Sequence, residues 1–251
     1  FTKGGEFFLP QSSLDPITPS NVVINGATRR GAKEGIKPVG AESGTLFIQR
    51  AGKALREFLF SDVELSYISN NISLLSSHLL KNPTDMALRK ATSTTDGDLL
   101  LLVNATDGSL ATYSILRGQN VIAPSLSTTD GTFEKVGVDV DQIYFVIKRT
   151  ISSSTKYYVE CFNDDNTTDS SKLLSGGSKP STTTVTGLSH LEGKTVKVIA
   201  DDSMQNDKTV SSGQITLDAV PTTYVEIGLD YTPEVKTLPV ELKLSSGNTR
   251  G

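Results

Sequence analysis

Leu99-Leu100-Leu101-Leu102-Val103 and Leu110-Ala111-Thr112-Tyr113-Ser114-Ile115-Leu116 flank the polar stretch Asn104-Ala105-Thr106-Asp107-Gly108. Two apolar runs of strand length around a short polar connector predict a β-hairpin, and Asp-Gly supplies the positive φ that tight hairpin turns require. The same arrangement occurs on either side. Thr45-Leu46-Phe47-Ile48-Gln49-Arg50 and Leu55-Arg56-Glu57-Phe58-Leu59-Phe60 flank Ala51-Gly52-Lys53. Further on, Ile143-Tyr144-Phe145-Val146-Ile147-Lys148 and Tyr157 to Phe162 flank Ile151-Ser152-Ser153-Ser154-Thr155. β-Branched and aromatic residues fill the strands, and the connectors are polar.

The spacing of these hairpins adds to each of them. Asp85 to Thr92 reads as a strand preceding the second pair, and Thr132 to Val138 as one preceding the third. Three or four antiparallel strands recurring about every 40–50 residues is the period of β-propeller blades. A propeller closes with about 4–8 blades, whereas this chain supplies about three, so the remainder is expected outside it or the blades pack in another way. A less regular β-sandwich has the same period over so few repeats. One helix is expected at Ile72-Ser73-Leu74-Leu75-Ser76-Ser77-His78-Leu79-Leu80, capped by Asn70 or Asn71 and ended by Lys81-Asn82-Pro83.

After Phe162 the composition changes. Asn163 to Ser171 and Ser175 to Pro180 read as solvated linker. Five short strands then follow at Thr182 to Thr186, Thr195 to Ala200, Lys208 to Val210, Gln214 to Leu217 and Tyr224 to Leu229, with Ser211-Ser212-Gly213 turning one hairpin. Such a unit suits a small β-barrel or sandwich. Thr237 to Leu244 reads as a strand leaving it toward the first unit, before a loop-like ending. The expected fold class is therefore all-β, with three regions: propeller-like blades over 1–172, a small inserted barrel or sandwich over 173–237, and a returning strand over 238–251. Both ends read as cut from something longer.

The chain has 251 residues and a net charge of −4. That balance argues against a protein that binds nucleic acid by neutralising phosphates. Cys161 is the only cysteine, which excludes an intrachain disulfide, and its apolar neighbours predict a buried thiol. No stretch approaches the ~20 apolar residues of a membrane-spanning helix, and no signal peptide opens the sequence.

Candidates for chemistry are few. His78 and His190 are the only imidazoles, too few with one cysteine for a closed zinc site without several carboxylates. Ser189 beside His190 is not a triad, which needs a spatially oriented base. Glu57, Glu64, Asp139, Asp141 and Glu160 would make a glycosidase only if folding set two of them roughly 5–10 Å apart. The chain has no tryptophan and 6% aromatic residues, which weakens that reading. Asp139-Val140-Asp141 and the Asn163 to Asp169 cluster lack the spacing of a calcium loop and read as solvated turns. The tripeptides starting at Asn71, Asn104 and Asn166 match a glycosylation acceptor that is common by chance. No catalytic, cofactor-binding or metal-binding residue is nominated, and no cofactor is expected.

Two blocks resemble a known family. Phe47-Ile48-Gln49-Arg50-Ala51-Gly52-Lys53-Ala54-Leu55-Arg56-Glu57-Phe58, followed by Ile72 to Leu79, is similar to the "QRAG-x-x-(L/V)-RE" hairpin and "DLT-x-L-(A/S)-x-H" helix of tail proteins from short-tailed bacteriophages. Leu188-Ser189-His190-Leu191-Glu192-Gly193-Lys194-Thr195-Val196-Lys197-Val198-Ile199-Ala200-Asp201, then Gly213-Gln214-Ile215-Thr216-Leu217, resembles their "HLEG-x-x-V-x-V-x-x-DG … G-x-(I/V)-x-L" module. Asp202 stands where that module has Gly, and Asn71 where the first block has an acidic residue. The resemblance implies a tail nozzle or tail tubular protein B-like component of the virion. Its subunits would form a ring, commonly of six, below the portal and adaptor. Its work would be to retain and conduct genomic DNA without sequence-specific binding and to anchor tail fibres. The family lends no catalytic residues. Two other readings share the fold signals: a receptor- or glycan-binding module of a virion or cell surface, and a β-propeller glycoside hydrolase.

Overall fold

A computed structural model describes residues 1–10, 16–42, 44–93, 96–235, 241–244 and 247–250. The protein is all-β: antiparallel sheets carry it, and helical structure among the described residues is limited to three-residue 3-10 turns. Between Val39 and Cys161 three sheets follow one another in chain order. The first contains β3 (Val39–Gly40), β4 (Thr45–Ile48), β5 (Leu55–Ser61) and β6 (Ser66–Asn71). The second contains β7 (Pro83–Arg89), β8 (Asp98–Asn104), β9 (Leu110–Leu116) and β10 (Val121–Ser127). The third has only β11 (Thr132–Asp139), β12 (Gln142–Ile151) and β13 (Ser154–Cys161). Each is an up-and-down meander, as expected of blade-like units.

The sheets stack face to face because of β8. Leu100 and Leu102 join Leu46, Ile48, Leu55, Met86, Tyr113 and Ile115 in one core between the first and second sheets. Their alternate neighbours Leu101 and Val103 join Leu110, Phe133, Ile143, Phe145 and Ile147 in a second core, between the second and third. Successive side chains of a strand point to opposite faces, so the unbroken Leu99 to Val103 run feeds two cores at once. The far face of the first sheet carries an aromatic cluster: Phe58 stacks on Tyr67 with ring centroids 5.0 Å apart, Phe8 lies 4.5 Å from Tyr67, and Phe1 lies 5.0 Å from Phe47. Phe8 belongs to β1 (Glu6–Phe8), which pairs with β2 (Asn25–Thr28).

The Asp-Gly turn works as its composition predicts, with Gly108 at φ +67°. It also sets the next sheet, since the Phe133 amide donates to the Gly108 carbonyl at 2.9 Å. The third hairpin turns at Ser152 and Ser153 alone, both at positive φ (48° and 62°). Two residues of this kind make the tight turn whose twist matches the flanking strands.

The expected helix over Ile72 to Leu80 does not form; only Ser77–Leu79 makes a 3-10 turn. Its backbone bonds close over three residues, Ser76 to Ser73 at 3.0 Å and Leu79 to Ser76 at 3.0 Å. Serines explain the difference, because their hydroxyls compete for helix hydrogen bonds. The Ser73 hydroxyl accepts from the Leu55 amide at 2.9 Å, and that of Ser76 donates to the Tyr113 hydroxyl at 3.2 Å. Buried Asn104 takes the Lys81 amide and donates to the Leu79 carbonyl, each at 2.9 Å. The segment is tied to two neighbouring hairpins in place of its own preceding turn.

Beyond Cys161 lies a small sandwich. Its larger sheet runs β14 (Asp169–Ser175), β20 (Tyr224–Leu229), β16 (Thr195–Ala200), β17 (Ser203–Met204), with β18 (Lys208–Thr209) also on β16; β15 (Thr184–Thr186) pairs with β19 (Gln214–Thr216) opposite. One core of Val185, Leu191, Val198, Ile215, Val225 and Ile227 lies between the sheets, and among the described residues no sheet closes into a barrel. Two expectations change here. The stretches read as linker overlap both ends of β14, which pairs with β20. The Ser211 to Gly213 turn exists, yet its two arms diverge to different sheets in place of pairing as a hairpin. Asp201 and Asp202 both take positive φ (50° and 62°) between β16 and β17, so the turn tolerates Asp where the resembled module has Gly. Of the expected Thr237 to Leu244 strand, residues 237–240 lie outside the described residues; β21 (Glu241–Leu244) pairs with β22 (Gly247–Arg250), where a loop was expected.

Candidate functional site

The period-2 pattern of β12 carries one anomaly. Ile143, Phe145, Ile147 and Ile151 point into the core, and Arg149 occupies the same register and is buried. A charge in that position needs partners. Its guanidinium grips Glu160 of β13 through both carboxylate oxygens at 2.7 Å. It also donates to the Asp130 carbonyl at 2.9 Å and to Asp169, at the start of β14, at 3.3 Å. Burial alone would lower the affinity of Arg149 for its proton; the hydrogen bonds and charges of Glu160 and Asp169 outweigh it and raise the pKa. Asp169 further accepts from the Thr129 hydroxyl at 2.7 Å, and Lys194 of the sandwich bridges Asp130 at 2.6 Å. One cation thus joins the third sheet, the β10–β11 connection and the sandwich.

A second carboxylate fastens the β13–β14 connection to the sandwich. Buried Glu226 of β20 accepts the amides of Thr167 and Thr168 at 2.8 and 2.7 Å. Gly228 beside it leaves room for this approach, because an added Cβ would collide with the Thr168 side chain. The sandwich is therefore held to the stack by directed polar bonds.

The remaining candidates scatter. Glu57 is buried against Arg117, whereas Glu160 is engaged by Arg149, so each of these carboxylates has its own arginine. Glu64 sits in the exposed β5–β6 turn, and Asp139 and Asp141 flank the β11–β12 turn at Val140. His78 is exposed on its 3-10 turn. His190 is half-buried with Nε2 3.2 Å from the Ser170 carbonyl, and burial, helped by Lys172 and Arg149, lowers its pKa against the opposing Ser170 bond and Glu160 charge. Its ring faces that carbonyl, not Ser189. Among the described residues no three His, Cys, Asp or Glu gather as a metal site, and no helix is long and apolar enough to cross a membrane.

A cleft of about 700 Å3 on the larger sandwich sheet is floored by Leu173, Ile199, Met204 and Tyr224 and edged by Asp165 and Asp202. The outer face of the third sheet presents Tyr144 beside Cys161, Val146 beside Val159, and Lys148 beside Tyr157. Cys161 is thus exposed, contrary to expectation, because its position in β13 falls on the outward register.

Sequence reading missed Arg149, Asp130 and Glu226, and took Asp169 for part of a solvated turn. Arg149 was legible, as a charge on the apolar register of an otherwise alternating strand. Glu226 was not: its burial arises from the 163–168 segment folding back across β20. The chain matches no protein-family model, and no curated protein matches it significantly.

Proposed function

We propose that this chain is a structural component of a short-tailed bacteriophage tail, a load-bearing scaffold for neighbouring tail proteins around the path of the DNA. The observation that supports this reading best is the continuous, locked architecture: β8 feeds two cores, and Arg149 bonds the stack to the sandwich. Transmitting force without deformation calls for such interdigitated, low-compressibility packing. The two resembled blocks fall on the β4–β5 hairpin and on strands β16 and β19, although the Ile72 to Leu79 part of the first makes only a 3-10 turn in place of a helix. The reading assigns no reaction to the chain, and its partners are other copies, adaptor and fibre proteins.

Antibodies raised against the purified chain test it on intact virions. Gold label confined to the tail in electron micrographs, with rings formed by the longest available form of the protein, is the expected result. Label on the capsid or none on particles, with only monomer at high concentration, overturns it. The sandwich cleft favours one second reading, a glycan- or receptor-binding module, since Tyr224 and Asp202 offer a ring and a carboxylate side by side. Binding on a glycan array that Tyr224→Ala abolishes would select that reading instead.

A further inference from the structure

We propose that the outer edge of β13 is a pairing surface for a second copy of this chain, the two β13 strands running antiparallel about Tyr158 to form one six-stranded sheet. The first two sheets have four strands and the third has three; among the described residues nothing pairs with β13 on the side away from β12. That side corresponds to the place of β10 in the second sheet.

The register states which backbone groups are free. Ile151 opposes Ser154 across a two-residue turn, and the Phe162 amide donates to the Ile143 carbonyl at 2.9 Å. Hydrogen-bonded and non-bonded pairs alternate along an antiparallel ladder, so Lys156, Tyr158, Glu160 and Phe162 direct their amides and carbonyls to β12. Thr155, Tyr157, Val159 and Cys161 direct theirs outward. A proline or bulge is the usual protection of such an edge, and β13 has neither.

Only pairings that set outward residues against outward residues make ladder bonds, which restricts the two-fold axis to whole residues of the strand. Centring on Lys156 or Glu160 opposes like charges, a destabilising arrangement. Centring on Tyr157 or Val159 leaves Lys156 and Glu160 without opposite partners. Centring on Tyr158 sets Lys156 against Glu160 of the other copy twice, Tyr157 against Val159, and Thr155 against Cys161, with about eight backbone hydrogen bonds. Glu160, although held by Arg149, keeps 22% of its side chain exposed. This two-fold contact closes at two copies and is independent of the tail reading, since a ring requires a different, head-to-tail contact.

Light scattering on the purified chain carrying Cys161→Ser is expected to give twice 26.8 kDa, falling to the monomer on dilution. Adding Tyr158→Cys places two thiols on opposite residues with Cα atoms about 4.5 Å apart. Mild oxidation should then link the pair at least about tenfold faster than it links a Thr150→Cys control. Val159→Pro removes an outward amide and should weaken association by about 100-fold while the far-UV β signal persists. Lys156→Glu, at an exposed position, opposes two acids and should weaken it about tenfold at low salt, which decides the matter if the proline variant does not fold. A monomer at millimolar concentration, equal linking at residues 158 and 150, or unchanged association in Lys156→Glu overturns the proposal.

Discussion

β10 and β13 both end a meander, and both are exposed along most of their length. They differ in how the edge is finished. β10 carries Pro124 opposite Tyr113; a proline nitrogen cannot serve the β9 ladder, so it faces outward and interrupts any strand arriving from that side. β13 has β-branched and aromatic residues at the corresponding outward positions, and Tyr157 and Val159 are 64% and 75% exposed. The inner sides differ too. β10 attaches through its ladder to β9, whereas β13 is clamped through Glu160 to a buried arginine and thence to the sandwich. Edge chemistry, and not overall apolarity, distinguishes a closed border from an open one.

The largest effect should come from removing what both borders rest on. Leu101 is almost fully buried between the second and third sheets, and Leu101→Ala should cost about 3 kcal/mol of stability, read from denaturant unfolding. Arg149→Ala acts on the β13 side alone. It strands Glu160 and Asp169, and because both retain some solvent contact the cost should be about 2 kcal/mol, below that of a fully buried pair. Amide exchange should show β13 and β14 loosening while β10 is unaffected.

Pro124→Val tests the border directly. It restores an outward amide to β10 and should raise self-association about tenfold by analytical ultracentrifugation, with stability changed by less than about 0.5 kcal/mol. An unchanged sedimentation profile would remove Pro124 from the explanation.

The smallest effect concerns acid. Asp107 lies in the β8–β9 turn; burial would raise its pKa, but hydrogen bonds from Lys81 and Ser109 outweigh that and hold it below the usual carboxylate range. A lowered folded pKa means the stabilisation is complete above the unfolded value of about 3.9 and is lost as pH falls through the folded one. The β12–β13 turn, Ser152-Ser153, has no such group. Between pH 5 and pH 2, exchange in the β8–β9 hairpin should therefore quicken more than in the β12–β13 hairpin, and Asp107→Asn should remove the difference.

How much was legible differed by element. Apolar runs and turn residues located β4, β5, β8, β9, β11, β12, β13, β16 and β20, because period-2 patterning and positive-φ turns are local properties. β6, β10 and β14 were missed: Ser66 to Asn71, a strand with Pro124 inside it, and Asp169 to Ser175 all have loop composition, and only a neighbouring ladder makes them strands. The helix expected at Ile72 failed in the opposite sense, since the Ser73, Ser76 and Asn104 bonds overrode it. Leu75, inside that expected helix, is 93% exposed.

The sequence by itself determined an all-β chain of repeated hairpins, since alternation and turn chemistry act within a few residues. Tertiary structure alone decided that β8 serves two cores, that Arg149 and Glu226 fasten the sandwich, and that β13 keeps a free edge. Those outcomes depend on which distant segments meet, and no local pattern encodes the partner across a 40-residue separation such as that between Thr129 and Asp169.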